Sequence, residues 1–210
     1  MINKISVNEH SSICIKDKLT LYFDPFRILS DTHDADIIFV THSHFDHYSL
    51  EDIKKIINET TILVFPKSME NDVNESGLKN SFVFVEPYEE KEIKGYKVKA
   101  VPSYNIGKPM HPKENNWVGF IVEIDSQKVY VCGDTDDISE IEKIECDVVL
   151  VPVGGFYTMS ALEAAHFVNN IKPKVAIPTH YGTLVGEKTY GDEFIKHVNK
   201  TIEVIKKIKF

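Results

Sequence analysis

The stretch Thr41-His42-Ser43-His44-Phe45-Asp46-His47 puts three imidazoles and one carboxylate into the six positions from 42 to 47. It follows the apolar run Ile37-Ile38-Phe39-Val40 and precedes Leu50, beyond which Ile53, Ile56 and Ile57 recur at helical spacing. A buried strand, a loop and a helix are predicted in that order. His42 and His44, two apart in extended chain, project to the same side and can bind one metal ion. Asp46 and His47 lie beyond the bend and can address a neighbouring ion, so two metals are implied. Imidazole and carboxylate donors without cysteine favour zinc, with manganese, iron or nickel as competitors, because ligand type biases metal choice without fixing it. A loop that only capped the Leu50 helix would not need three histidines around an aspartate.

Outward from this point the chain reads as meanders followed by strand and helix alternation. Strands are predicted at Lys4–Val7, Ser12–Ile15 and Leu19–Phe23 before the cluster. After it come Ile62–Phe65, a polar helical segment ending near Gly77, and Ser81–Val85. A second set of strands covers Lys97–Val101, Trp117–Ile124, Val129–Cys132 and Val148–Val151. A helix over Ser160–Asn169, a strand Val175–Pro178, a helix near Asp192–Asn199 and a strand Thr201–Ile205 close the chain. This order predicts an α/β (α+β) fold, with two mixed sheets packed together and helices on their outer faces. No linker or repeat divides residues 1–210, so one domain is expected.

Two later strand ends carry further donors. Asp134 follows Val129–Cys132 after a single glycine, which lets the backbone turn and aim the carboxylate outward. His180 stands just beyond Val175–Pro178, between Thr179 and Tyr181. Asp24, ending Leu19–Phe23, is placed to orient a ligand imidazole from outside the metal shell, although capping the Asp24-Pro25 turn would also explain it. His10 and His33 lie in polar turns, and His166 and His197 in helical segments; all four are expected to be structural or exposed.

These residues resemble the metallo-β-lactamase superfamily. Its H-x-H-x-D-H signature stands as His42-Ser43-His44-Phe45-Asp46-His47, its bridging aspartate as Gly133-Asp134-Thr135, and its last histidine as Pro178-Thr179-His180-Tyr181-Gly182. Val153-Gly154-Gly155-Phe156-Tyr157-Thr158-Met159 looks like the branch with ascorbate-6-phosphate lactonase-like and uncharacterised metal-dependent hydrolases. The resemblance implies an αββα four-layer sandwich, with His180 joining the Asp46/His47 metal and Asp134 bridging both metals. It departs in one place: the strand ending Ala100-Val101-Pro102-Ser103-Tyr104-Asn105 lacks the usual third histidine for the His42/His44 metal. His111, in the long loop after it, is nominated as the displaced ligand, with Asn105 or water as substitutes.

Two divalent transition metals would activate a water held between them and polarise the scissile group, so no protein nucleophile is needed. Asp46, Asp134 and Tyr181 are the catalytic candidates. Tyr157 and Tyr181 are expected to line the pocket, and Trp117 to wall it or to sit in the core; Lys108, Lys113, Asn115 and Asn116 could meet an anionic substrate group, although for the lysines a solvated loop is the preferred reading. The substrate expected is a small ester, lactone or amide, with or without phosphate. The alternatives are a phosphodiesterase of the same fold and a non-hydrolytic metal-binding or diiron redox protein. The diiron reading is disfavoured because such sites place a glutamate where His44 stands.

Charge and composition narrow the partners. With 32 acidic against 24 basic side chains and a formal charge of −8, the chain has no electrostatic footprint for nucleic acid. No run approaches a secretory segment or membrane span, and Cys14, Cys132 and Cys146 form no zinc or disulfide pattern. A cytoplasmic protein acting on a small molecule is expected, with self-association left open.

Overall fold

A computed structural model describes residues 1–210. The first half of the chain builds β1 (Ile5–Val7), β2 (Ile13–Lys16), β3 (Thr20–Phe23), β4 (Ile37–Phe39), α1 (Leu50–Ile56), β5 (Ile62–Pro66), α2 (Glu70–Glu75) and β6 (Ser81–Val85). The second builds β7 (Glu90–Ile93), β8 (Tyr96–Pro102), β9 (Val118–Ile124), β10 (Gln127–Val131), β11 (Val148–Pro152), α3 (Ala161–Ile171), β12 (Val175–Thr179), α4 (Tyr190–His197) and β13 (Glu203–Val204). Each half makes one sheet with its strands in sequence order. An antiparallel run, β1 to β3 or β7 to β10, is extended by parallel strands, β4 to β6 or β11 to β13.

Successive strand side chains point to opposite faces, and here the two faces enter different cores. Leu21, Phe23, Ile37, Phe39 and Val64 face the second sheet. Their neighbours Tyr22, Ile38, Leu63 and Phe65 face outward, onto Ile53 and Ile56 of α1 and Met69 and Val73 beside and within α2. Phe23 stacks on Phe39 at 4.6 Å, and Phe39 meets Phe120 of β9 at 5.0 Å, which joins the sheets through aromatic contact. Ala164, Phe167 and Val168 of α3 and Phe194 of α4 cover the far side of the second sheet. The layers are therefore helix, sheet, sheet, helix. Ser49 caps α1, and Ser160 with Glu163 forms a capping box on α3.

Two elements differ from the sequence expectation. The edge strand β7, Glu-Lys-Glu-Ile, has one apolar residue and so no alternation to read; charges suit an edge that must not recruit another chain. The closing strand is two residues long instead of five. No helix is long and apolar enough to cross a membrane.

A polar tie holds the sheets together at the edge away from the histidines. Lys4 Nζ donates to Asp17 Oδ1 at 2.6 Å and also to Asp125, while Tyr96 Oη donates to Asp17 Oδ2 at 2.8 Å. Burial opposes the charge on Asp17, but these donors outweigh it and bring its pKa down to about 2. Because the folded value lies below the ordinary 3.8, the stability it contributes is present above pH 3.8 and lost as pH falls through about 2. Asp17→Asn is expected to cost about 1.5–3 kcal/mol in urea denaturation at neutral pH. The gap from wild type should close between about pH 4 and pH 2; a pH-independent gap would mean that Asp17 acts through packing.

Candidate metal centre

The parallel strands of both sheets end on one edge, and the chemistry-bearing residues collect there. Asp24 follows β3, the 42–47 cluster follows β4, Asp134 follows β10 and His180 follows β12. Ligand sites outside the carboxyl ends of parallel strands are the general expectation for such sheets. Gly133 has φ +67°, and a Cβ there would lie 3.1 Å from both Ser103 Oγ and Thr41 Cβ, so only glycine makes the turn that presents Asp134. Asp24, His10 and His180 hold left-handed backbone, with φ of 46°, 56° and 58°. Strained non-glycine backbone of this kind clusters at functional sites.

Three imidazoles are pinned by one ring nitrogen so that the other faces the centre. The Asp24 carboxylate accepts from Thr41 N and Thr41 Oγ1, both at 2.7 Å, and from His47 Nδ1 at 2.8 Å. Thr41 Oγ1, its hydrogen spent on Asp24, accepts from His42 Nδ1 at 3.0 Å. The Asn105 amide oxygen accepts from His111 Nδ1 at 2.7 Å. In each case the Nδ1 bond orients the ring so that Nε2 faces the centre, the arrangement of a metal-ligating histidine.

The carboxylate of Asp134 lies in the middle of these ring nitrogens. His180, His111 and His42 Nε2 stand 2.9, 3.3 and 4.0 Å from its Oδ2, and His47 Nε2 stands 3.4 Å from its Oδ1. Asp46 Oδ2 lies 3.1 Å from His10 Nε2, 3.7 Å from His47 Nε2 and 3.8 Å from His180 Nε2. Burial disfavours charge on both carboxylates but is outweighed. His180 and His47 beside Asp134 hold it well below the usual carboxylate range, and the His10 hydrogen bond with His47 brings Asp46 to about 2. Burial, with His47 nearby, keeps His42 well below its ordinary range. His47, itself buried, is pushed up by Asp134 and Asp24. A buried set with ionised carboxylates demands positive charge.

A metal ion fits that demand on the donors themselves. His47 Nε2, His111 Nε2, His180 Nε2 and Asp134 Oδ1 are buried without a hydrogen-bond partner, which is costly unless something else meets them. Three groups have ligand atoms within 4.8 Å of one another: His42, His44 and His111; His42, His47 and Asp134; and His10, Asp46, His47 and His180. Nitrogen and carboxylate donors without thiolate suit a divalent transition metal.

The structure also rearranges several sequence assignments. His10, expected to be structural or exposed, is fully buried in this cluster: its ring lies 3.7 Å from that of His180, and its carbonyl accepts the His180 N–H at 3.0 Å. A lone histidine between Glu9 and Ser11 gives no local hint of this. The signal was topological, since the β1–β2 turn of a meander lies on the same edge as the end of β3. Tyr181, named as catalytic and pocket-lining, is instead buried beneath α4: the chain turns at His180 through left-handed backbone, and the next side chain leaves the cluster. Its hydroxyl approaches Gly191, where a Cβ would stand 2.4 Å from it, and its ring packs on Phe210. Lys108 is tied to Asp136 at 2.5 Å and to Thr158 O at 2.9 Å, and Lys113 to Glu140 at 2.6 Å, so neither is free for an anion. Asn105 positions His111 through its oxygen. Trp117 walls the cluster, 4.9 Å from His42 and 5.0 Å from His44 between ring centres. Tyr157 is half-buried, and His33, His166 and His197 are exposed.

A four-layer sandwich with histidines and aspartates gathered at its strand ends defines the class: the chain matches the beta-lactamase superfamily domain over residues 4–180. Within it, the chain belongs to the UPF0173 metal-dependent hydrolases. It is 30% identical to the member from Thermococcus onnurineus, over 82% of this chain and 78% of that one. The member from Pyrococcus abyssi is 28% identical, over 96% and 95%. Among solved structures, Igni18, a metallo hydrolase of Ignicoccus hospitalis, superposes with a TM-score of 0.79 at 21% identity, covering 96% of this chain and 93% of that one. CmlA, a diiron beta-hydroxylase of Streptomyces venezuelae, reaches 0.79 at 15%, covering 97% and 52%. These two show the fold alone.

Proposed function

We propose that this protein hydrolyses a small ester, lactone or amide with two divalent transition metals, zinc foremost. The observation that carries the reading is Asp134, whose carboxylate lies within 4.0 Å of imidazole nitrogens from both donor groups. His42, His44 and His111 would hold one ion, and Asp46, His47 and His180 the other, with Asp134 shared. Such ions, when bound, polarise a carbonyl oxygen and lower the pKa of water. Among the carboxylates Asp46 is the more open, 14% exposed, and is the one placed to orient an attacking water and take its proton. Kinship with metal-dependent hydrolases and the histidine at position 44 support hydrolysis over the oxygen chemistry of the CmlA-like fold neighbour. The paired states of Lys108 and Lys113 favour a substrate without phosphate.

Elemental analysis of protein purified without chelator, joined to a screen of esters, lactones, amides, thioesters and phosphodiesters, tests this. Close to two metals per chain with turnover of a carboxylic substrate is expected; no bound metal after reconstitution, or turnover of phosphodiesters only, would reject it. His111→Ala should leave about one metal per chain, because it removes a donor from the first group alone. Two retained ions would pass that role to Asn105 or water. His10→Asn should keep its metals and lower turnover roughly 10- to 100-fold, the scale seen when a group supporting a ligand is lost. Unchanged kinetics would reduce His10 to packing.

A further inference from the structure

Large apolar side chains exposed to solvent are unremarkable when scattered, but a contiguous set marks a recognition surface. Here half of the ten most exposed ones sit on loops that carry the site. Phe45, 69% exposed, lies between His44 and Asp46 with its ring edge against Phe26 at 6.1 Å. Met110 adjoins His111, and Ile106, 62% exposed, adjoins the Asn105 that orients it. Phe156, 78% exposed, stands two residues beyond Gly154, the residue packed on His180. Leu184 lies in the turn just after His180. Three of these segments thus bring a donor inward and an apolar side chain outward, and the fourth packs its glycine on His180.

Three of the cations near these segments are already matched by carboxylates. Lys108 is bound to Asp136, Lys113 to Glu140 and Arg27 to Glu9, while Lys188 lies over the Phe210 ring at 5.2 Å. With no free cation among the first three, an anionic substrate group would meet an apolar rim on a chain of formal charge −8. An uncharged hydrophobic group would be matched.

Resting on the hydrolase reading above, we propose that the substrate is an uncharged ester or amide whose hydrophobic acyl group is held by Phe45, Ile106, Met110, Phe156 and Leu184, with its carbonyl beside the histidine cluster, where bound metal ions would polarise it and Asp46 would orient the water. Hydrolysis adds water across the acyl bond, giving a carboxylic acid and an alcohol or amine.

The test uses 4-nitrophenyl acetate, butyrate and octanoate with the metal-loaded protein, and binding of the neutral fluorophore N-phenyl-1-naphthylamine with octanamide as competitor. The expected result is a kcat/KM at least tenfold higher for octanoate than for acetate, with the ratio falling severalfold in Phe45→Ser/Phe156→Ser. The fluorophore should bind wild type, be displaced by octanamide but not acetamide, and bind the double variant at least fivefold more weakly. Turnover that is flat or falls with chain length would overturn the acyl assignment and leave the hydrolase reading standing. Displaceable binding without turnover of any ester would reject hydrolysis and keep the apolar ligand. Absence of fluorophore binding would overturn the proposal outright. So would rim-dependent sedimentation with phosphatidylcholine vesicles, which assigns the rim to a lipid surface, or rim-dependent dimerisation in light scattering, which assigns it to a second copy.

Discussion

Asp134→Ala is expected to strip the chain of both metal ions and to lower kcat/KM by roughly 10³-fold or more, the scale set by loss of a principal electrostatic group. The carboxylate is 3% exposed and has imidazole nitrogens on both oxygens, His47 on Oδ1 and His42, His111 and His180 on Oδ2. No other residue of the cluster touches both donor groups so closely, so its removal disturbs both at once. Elemental analysis and turnover of a substrate identified by the screen would be measured on the same preparation, with circular dichroism to verify the fold. His166→Ala is the control, since that side chain is 71% exposed and pairs only with surface groups. A full complement of metals in Asp134→Ala would remove the shared role.

Gly154→Ala should be nearly as damaging although the residue offers no donor. A Cβ at this position would stand 2.3 Å from the His180 carbonyl and 2.9 Å from its Nδ1, with Val185 closing the third side at 3.0 Å. The carbonyl is backbone and cannot swing away, so β12 and His180 must shift together. Overpacking of this kind costs about 1–3 kcal/mol, and a displacement near 1 Å at a reacting centre costs about 10²-fold in rate. Urea denaturation and kinetics on one sample would read both. Gly155→Ala is the comparison: its φ of +86° strains an alanine, but the nearest atom is 3.7 Å away, so stability should fall while turnover holds. Wild-type behaviour of Gly154→Ala on both counts would refute the close approach.

What the sequence disclosed depended on how local each signal was. Ile37–Val40 and the histidines after it carry strand, bend and donor chemistry within a few residues, so the cluster and its place at a strand end could be read directly. Asp134 and His180 each stand alone in their windows, and it is the resemblance to the superfamily's motifs that made them legible. His10 was not, because its burial comes from the packing of the β1–β2 turn beside the end of β12, a contact between residues far apart in sequence that no short window holds. Tyr181 was misread through the opposite error, where proximity in sequence to His180 stood in for direction. The lysines of the 103–116 loop looked free until their carboxylate partners, Asp136 and Glu140, were brought over from a separate loop. Strand β7 has charges where a period should be and is visible only through its pairing with β8.

The His10 carbonyl accepts the His180 N–H, and this bond sets an order of events during synthesis. Contacts between distant parts of a chain form late, after the loop they close has become worth closing. The first sheet can assemble as its strands leave the ribosome, with His10, His42, His44, Asp46 and His47 already near one another. His180 cannot reach them until β12 is made and docked. A nascent chain halted before residue 180 should therefore hold a pocket with one side missing, and a metal captured there would be exchanged readily. Firm capture waits for β12, which ties the acquisition of chemistry to the docking of the second sheet on the first.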